Sequence, residues 1–362
     1  MAFLAGLMLL DAPAAALNNA GASGSDRTDN IVNTKSIRVP RLGVFPYVSA
    51  QAFRYWLRTT LERSDDIEWH SAPVYREAKV AYTDANPMKW WDDDLFGYMR
   101  AESTRTAAAA RRRDDANRAG ETPASVGLIL TRLSPFRVGT FVAMAPGGVT
   151  DDFGTMSRHD GDPVPYQHQF YRTILKGLFS LDLHAAGTFS YRSRTGYRNL
   201  DENRRGEAER DGLEHLSDEQ SYRLSLPKRI ERIAALLGGI GVLAGGAKLA
   251  LHYTDVVPAV ILAAVMKGGN DPLNYAIEAD ERGQPVVNTE AVEELLRVWG
   301  DQMQSPLYVG WTRGFHDAQR QLLEQTLQRI NPPCGFSVQH PREALQCVAS
   351  DFTSEANADW LK

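Results

Sequence analysis

The sequence predicts an α+β protein, and three observations carry that prediction. The N-terminal run FLAGLMLL has the length of a buried strand and is too short to span a bilayer. In PYVSAQAFRYWLR, the apolar residues Phe53, Trp56, Leu57 and Leu61 fall at i, i+3, i+4 and i+8, the spacing of a buried helical stripe. Further on, strand-like segments mix with helical patterns at 289–300 and 316–328. A chain of 362 residues with 43% hydrophobic content can build a substantial core, as one elaborated domain or as two to three ordinary ones.

The first strand, 3–10, is ended by Asp11 and Pro13, and the absence of a basic segment before it argues against a secretory signal. A polar loop over 18–33 leads to an extended piece, 35–39, with Arg38 and Arg41 close by. Pro46 closes that segment and Ser49 stands at the N-cap of the helix. Gln51, Arg54 and Arg58 lie off its apolar stripe. A helix start with nearby cations suits an anion, although solvated arginines on an amphipathic helix give the same pattern.

A long insertion follows, over about 64–122, containing WWDDDLFGYMR and STRTAAAARRRDDANRAGE. The second stretch has no apolar period, so a solvated helix or disorder is expected, and its Arg111 to Arg113 run is offset by Asp114 and Asp115. Strand-like residues return at 125–130 and 139–145. PGGVTDDFGTMSRHDGDPVPY reads as an excursion through turns, and 168–183 returns to the core. In GTFSYRSRTGYRNL, Phe189, Tyr191 and Tyr197 interleave with Arg192, Arg194 and Arg198. As a strand this would place aromatic and basic side chains on opposite faces, which suits single-stranded nucleic acid but equally a half-buried strand with a wet face. The glycine-broken stretch 233–251 reads as a helix, a turn and the start of a strand bearing Lys248, with GGAKLALHYTDVVPAVILAAV as a core strand and its continuation. Little pattern is visible after Pro332.

A formal net charge of -5 excludes a wholly basic coat, so any polyanion site must be local. Two cysteines, Cys334 and Cys347, without metal-site spacing, fit a reducing, cytoplasmic setting. No nucleophile elbow, phosphate loop or zinc motif is present, and the glycines at 238–246 lack the GxxxxGK[ST] order. The histidines do not cluster in sequence: His159 and His168 fall in the turn-rich excursion, and His184, His215, His252 and His316 are scattered. Asp92, Asp93 and Asp94 could hold a divalent ion or orient a neighbouring arginine; the lack of a second carboxylate cluster favours the arginine. No catalytic residue, metal or cofactor is expected.

The order LLDAPAAALNNAG, a basic extended piece, then PYVSAQAFRYWLR, resembles the crRNA-binding backbone subunit of CRISPR Cascade complexes (the Cas-seven family), in its DevR-like branch associated with subtype I-B. DDDLFGYM, RLSPFRVGTFVAMAP, DFGTMSRHDGDPVPYQHQFYRTILKGLFSLDL, GTFSYRSRTGYRNL and GGAKLALHYTDVVP extend the likeness over most of residues 2–270. The resemblance implies an RRM-like (ferredoxin-like) antiparallel-sheet palm with a helical fingers insertion and a β-hairpin thumb. Its expected boundaries are 1–63 for the first part of the palm, 64–124 for the fingers with a flexible 103–122, 125–331 for the rest of the palm with the thumb at about 149–169, and 332–362 for a tail.

In that family the SxQxxRxxxR motif grips the guide backbone, which carries over to Ser49, Gln51, Arg54 and Arg58. Asn18 and Asn19 match the polar pair after the first strand, Lys248 the lysine of a GAK strand, and Met99 a base-wedging methionine. Phe153, Met156 and Arg158 would sit near the thumb tip, and Arg38 joins the RNA-contacting set. The implied partners are crRNA, the target DNA strand paired to it, further copies of the chain head to tail in a helical filament, and the crRNA 5′-end-capping, large and small Cascade subunits, with no membrane. The role would be non-catalytic antiviral DNA interference. Related subunits cut target RNA with an aspartate in the loop after the first strand, where this chain has Asp26 and Asp29, so a metal-dependent ribonuclease is the alternative. A DNA-binding developmental regulator is a further one, without a helix-turn-helix signal.

Overall fold

The computed structural model describes residues 1–21, 31–77, 80–100 and 129–362. Asp26, Asp29, the 103–122 stretch and residues 125–128 of the strand expected at 125–130 lie outside the described residues.

The main sheet has 12 strands built around β1 (Ala2–Ala15). Every residue from Ala2 to Leu10 is buried, because both faces of this strand are covered and the usual alternation of apolar and polar positions is lost. Leu4, Met8 and Leu10 enter one core, while Ala5, Leu7 and Leu9 enter a second on the opposite face. The strand runs beyond Asp11, contrary to the expected stop, with an irregular register between Ala12 and Ala15 that absorbs the Asp11 to Pro13 segment.

The other strands on the principal path are β2 (Ser36–Val39), β3 (Gly43–Val48), β4 (Phe141–Ala143), β6 (Val164–Asp182), β7 (Val260–Lys267), β8 (Leu307–Trp311) and β9 (Phe336–Gln339). Their order is β9-β8-β7-β1-β6-β4-β3-β2. Neighbours are antiparallel except β8 and β9. The strand β5 (Val149–Met156) forms a hairpin with the first half of β6, so the excursion read as turns is mostly a regular ribbon. Pro46 lies within β3 opposite Ser36 rather than closing a segment.

Helices cover both faces. The first core is roofed by α1 (Ala50–Arg63), by α4 (Leu226–Gly241) and by α7 (Pro341–Asp351). On the second face lie α5 (Thr289–Trp299) and α6 (Asp317–Ile330), through Leu295, Leu296, Leu323 and Leu327. The tail expected after Pro332 is thus structured: β9 adds a parallel edge strand, and Leu345, Val348, Phe352 and Trp360 enter the first core. Its single short strand and three-turn helix offer too few periods to stand out in sequence.

Two further expectations change. The GGAKLALHYTDV segment is a series of turns, and the strand begins only at Val260. In the aromatic and arginine stretch only Thr188–Ser190 is a strand; Tyr191 and Arg198 close a tight turn as an isolated bridge, so no two-faced ribbon forms.

Between β3 and β4 the described residues of the insertion form a hairpin, Val74–Glu77 with Val80–Thr83, the short helix α2 (Trp91–Phe96), and the strand Tyr98–Arg100 paired with Leu130–Arg132. They pack beside α3 (Glu202–Arg210), which is joined to them by a buried ion pair, Arg204 with Asp84 at 2.8 Å, while Glu207 on the same helix holds Arg204 at 2.9 Å. Asp94, fully buried, accepts from Arg132 and from the Gly187 N–H on Oδ1, and from Arg232 at 2.6 Å on Oδ2. Asp94 therefore orients arginines, as the residue pattern suggested. Removing one member of a buried ion group leaves uncompensated charge. Asp94→Ala, which abandons two buried guanidinium groups, should cost about 3–5 kcal/mol in denaturant unfolding; a loss below about 1 kcal/mol would show that neither pair is held dry.

Candidate nucleic-acid interface

Four chain segments meet at the N-terminal end of α1. Ser49 caps the helix, its Oγ accepting from the Ala52 N–H at 3.4 Å, and the Ser49 N–H donates to Asn18 Oδ1 at 3.0 Å. Asn18 also ties down the extended piece, since its carbonyl accepts from the Lys35 N–H at 2.8 Å. The loop after α4 arrives through a bond from the Ala247 N–H to the Leu17 carbonyl at 3.1 Å. That loop crosses α1 at Gly245, where a Cβ would stand 2.3 Å from the Trp56 ring, so only glycine permits the approach. Lys248 follows in a left-handed conformation, φ 53°, with its carbonyl accepting from the Leu251 and His252 N–H groups. Asn18, Asn19, Ser49 and Lys248 thus lie on neighbouring segments, although Lys248 is on a turn and not on a strand. Gln51 is exposed on the first turn of α1, and Arg38 is exposed on the edge strand β2.

Arg54 and Arg58 behave differently from the free cations the sequence suggests. Arg54 donates through Nη1 to Ser134 Oγ and the Phe136 carbonyl, both at 3.0 Å, and through Nη2 to the Phe96 carbonyl. Burial, reinforced by neighbouring Arg58, lowers its pKa to about 10. Arg58 stacks over the Phe96 ring at 4.2 Å, a cation–π contact, and burial also lowers its pKa against the opposing pull of Asp92, Asp93 and Glu62. Both arginines therefore brace α1 against the insertion. A spacing argument cannot see this, because their partners lie some 40 to 80 residues away in sequence.

The third group lies on the β5/β6 hairpin. Phe153, 73% exposed, and Met156, 59% exposed, stand on the protruding ribbon, with Arg158 exposed in the turn beyond. Met99, 69% exposed, is set apart from them on the insertion strand. At the hairpin base Asp152 lies opposite His168, whose Nε2 is 3.1 Å from Asp152 Oδ2, and His252 packs its ring 4.9 Å from that of His168. Two of the histidines dispersed in sequence, His168 and His252, do meet here. The pairing was invisible because it depends on the loop after α4 reaching the hairpin.

No protein-family model and no curated protein matches this sequence. Among solved structures, a chain of a "CRISPR RNA-guided surveillance complex, pre-nicking" aligns over 97% of this chain and 100% of its own length, with a TM-score of 0.50 and 10% identity. A chain of a "CRISPR RNA-guided surveillance complex" covers 96% of this chain and 99% of its own, with a TM-score of 0.48 and 11% identity. The first of these likenesses shows a shared fold. No helix among the described residues is long and apolar enough to cross a membrane.

Two outcomes are expected of this geometry. Arg54→Ala should lower stability by about 1.5–3 kcal/mol, the range for hydrogen bonds of a charged group, when read by thermal or denaturant unfolding. An unchanged melting curve would detach Arg54 from its bracing role. Burial, reinforced by the neighbouring Asp92 charge, raises the pKa of Asp93 to about 7 from 3.8. The folded state then holds a proton that the unfolded state has lost, so stability should fall as pH rises from about 4 to about 7 and level off above. Asp93→Asn should flatten that limb, and an identical pH profile in the variant would assign the slope elsewhere.

Proposed function

We propose that this chain is a non-catalytic guide-RNA-binding backbone subunit, of the DevR-like subtype I-B branch of Cascade, that strings along crRNA in serial copies and presents it to a target DNA strand. The observation that carries this reading is the β5/β6 hairpin, which holds two large apolar side chains and an arginine out in water. Large apolar side chains held out beside a cation on one ribbon support a surface that contacts a partner. On a spool for RNA, an apolar wedge interrupts base stacking while cations hold phosphates and leave base edges free to pair.

The topology supports the same reading. Taken in chain order, β1, α1, β4, β6, α4 and β7 run β-α-β-β-α-β with spatial order β7-β1-β6-β4, which supports reading the sheet as an RRM-like palm and the β5/β6 hairpin as its thumb. Within this palm the backbone-gripping groups are Asn19, Gln51 and Lys248 around the start of α1, joined by Arg38 and Arg158, with Phe153, Met156 and Met99 as wedges. Arg54 and Arg58 serve by fixing the helix that presents them. Copies meet head to tail, a heterologous contact that propagates as a filament when it does not close.

Purification from cells carrying a CRISPR array should yield a large assembly with discrete spacer-bearing RNAs; an RNA-free small oligomer from cells that also supply the partner subunits would overturn the proposal. Lys248→Ala and Arg158→Ala should weaken RNA binding irrespective of sequence and reduce the log–log salt slope by roughly 0.7 per lost phosphate contact. An unchanged slope in both would remove them from the phosphate path. The assembled complex should leave paired target RNA intact in Mg²⁺; cutting that is abolished by Asp26→Ala or Asp29→Ala would make the chain the ribonuclease of the alternative reading.

A further inference from the structure

The base of the hairpin contains a group that the RNA reading does not use. Asp152 and His168 are directly opposed in the register of β5 and β6, and His252 reaches them from the loop after α4. One ligand atom from each of the three lies within 4.8 Å of the others. His168 is 3% exposed, and neither of its ring nitrogens makes a well-aligned hydrogen bond, even though Nε2 stands 3.1 Å from the Asp152 carboxylate. The Nε2 of His252 is likewise buried without a partner. Leaving a polar group unsatisfied in this way costs about 1–3 kcal/mol, so a group that takes one nitrogen from each imidazole would relieve part of that cost at both rings.

We propose that Asp152, His168 and His252 form a divalent transition-metal site of the Zn²⁺ type, with the fourth position open to water. Two imidazoles and one carboxylate are the borderline donors that Zn²⁺ takes, and three protein ligands with one open position is a recurrent arrangement. The distances suit it: at bond lengths near 2.0–2.1 Å a tetrahedral site needs ligand atoms about 3.3 Å apart, which the Asp152–His168 edge already meets. The three ligand atoms already lie within 4.8 Å of one another, so the remaining edges would close by small rotations of half-exposed Asp152 and of the His252 ring.

The rings are held for the task. His168 stacks on Tyr166 at 5.8 Å and His252 on Phe170 at 4.9 Å. Tyr166 in turn lies over Gly154, where a Cβ would come within 2.4 Å of its ring. These aromatic walls orient the ligands and limit solvent around the site. A bound ion would cross-link the hairpin to the loop that carries Lys248. It would do so whether or not RNA is the partner, so the proposal stands apart from the functional reading.

The test is Zn²⁺ titration, by calorimetry, of the untagged full chain after chelator dialysis, with Co²⁺ as a spectroscopic substitute. Wild type should take up one ion per chain, and the Co²⁺ form should show the strong visible bands of tetrahedral coordination. His252→Ala and Asp152→Asn should each weaken uptake by more than about tenfold, the lower range for disturbing a metal shell, and abolish those bands. His159→Ala, exposed in the hairpin turn, should change neither. Far-ultraviolet circular dichroism establishes that the variants are folded, and using two partly exposed ligands avoids the packing loss expected of His168→Ala. No saturable uptake by wild type, or uptake unaltered in both ligand variants, would overturn the site.

Discussion

The structure hangs on a single buried carboxylate. Asp94 on α2 collects Arg132 from the far side of the insertion, Arg232 from α4 and the Gly187 N–H from the turn after β6. Each arginine then reaches backbone carbonyls: Arg132 those of Asp94, Thr188 and Ala185, and Arg232 those of Pro87 and Met88. A carboxylate in a dry interior is tolerable only when opposite charges and donors surround it. The same network therefore requires the insertion, the α4 helix and the end of β6 to assemble together.

This arrangement explains how cations are distributed in a protein of net charge -5. Arg132, Arg204, Arg229 and Arg232 are buried, and Arg54 is bonded to carbonyls, so a substantial part of the arginine complement acts inside the fold. Arginine suits that role because its planar fork serves several carbonyls at once and keeps its charge where a lysine would tend to lose its proton. Cations outside this interior set include Arg38 on the edge strand β2, Arg158 on the hairpin and Lys248 beside the start of α1.

How much of this was legible in the sequence depended on whether the signal was local. The α1 stripe of Phe53, Trp56, Leu57 and Leu61 was readable because helical periodicity is a local property, and all four are buried as expected. Ser49 was readable as a cap for the same reason. The role of Arg54 was not, since off-stripe arginines look solvated until the Phe96 and Phe136 carbonyls are brought to them. The alternation in GTFSYRSRTGYRNL misled because period two also arises by chance across a turn; Phe189 is buried there, and Tyr191 packs on His215 and Tyr222. The meeting of His168 and His252 is a tertiary event with no local pattern at all.

The loop at 245–252 joins the two halves of the candidate surface. At one end Gly245 lies on Trp56 and the Ala247 N–H on the Leu17 carbonyl; at the other His252 stacks on Phe170 and adjoins His168. Lys248 sits between these anchors in a left-handed backbone conformation that a lysine rarely adopts, so its position depends on both ends being held. Fixing the hairpin base narrows the positions open to Lys248, and fixing Lys248 against a ligand narrows those open to His252. Because such coupling is reciprocal, an ion at the hairpin base and an anion at the start of α1 would each alter the affinity for the other by the same factor.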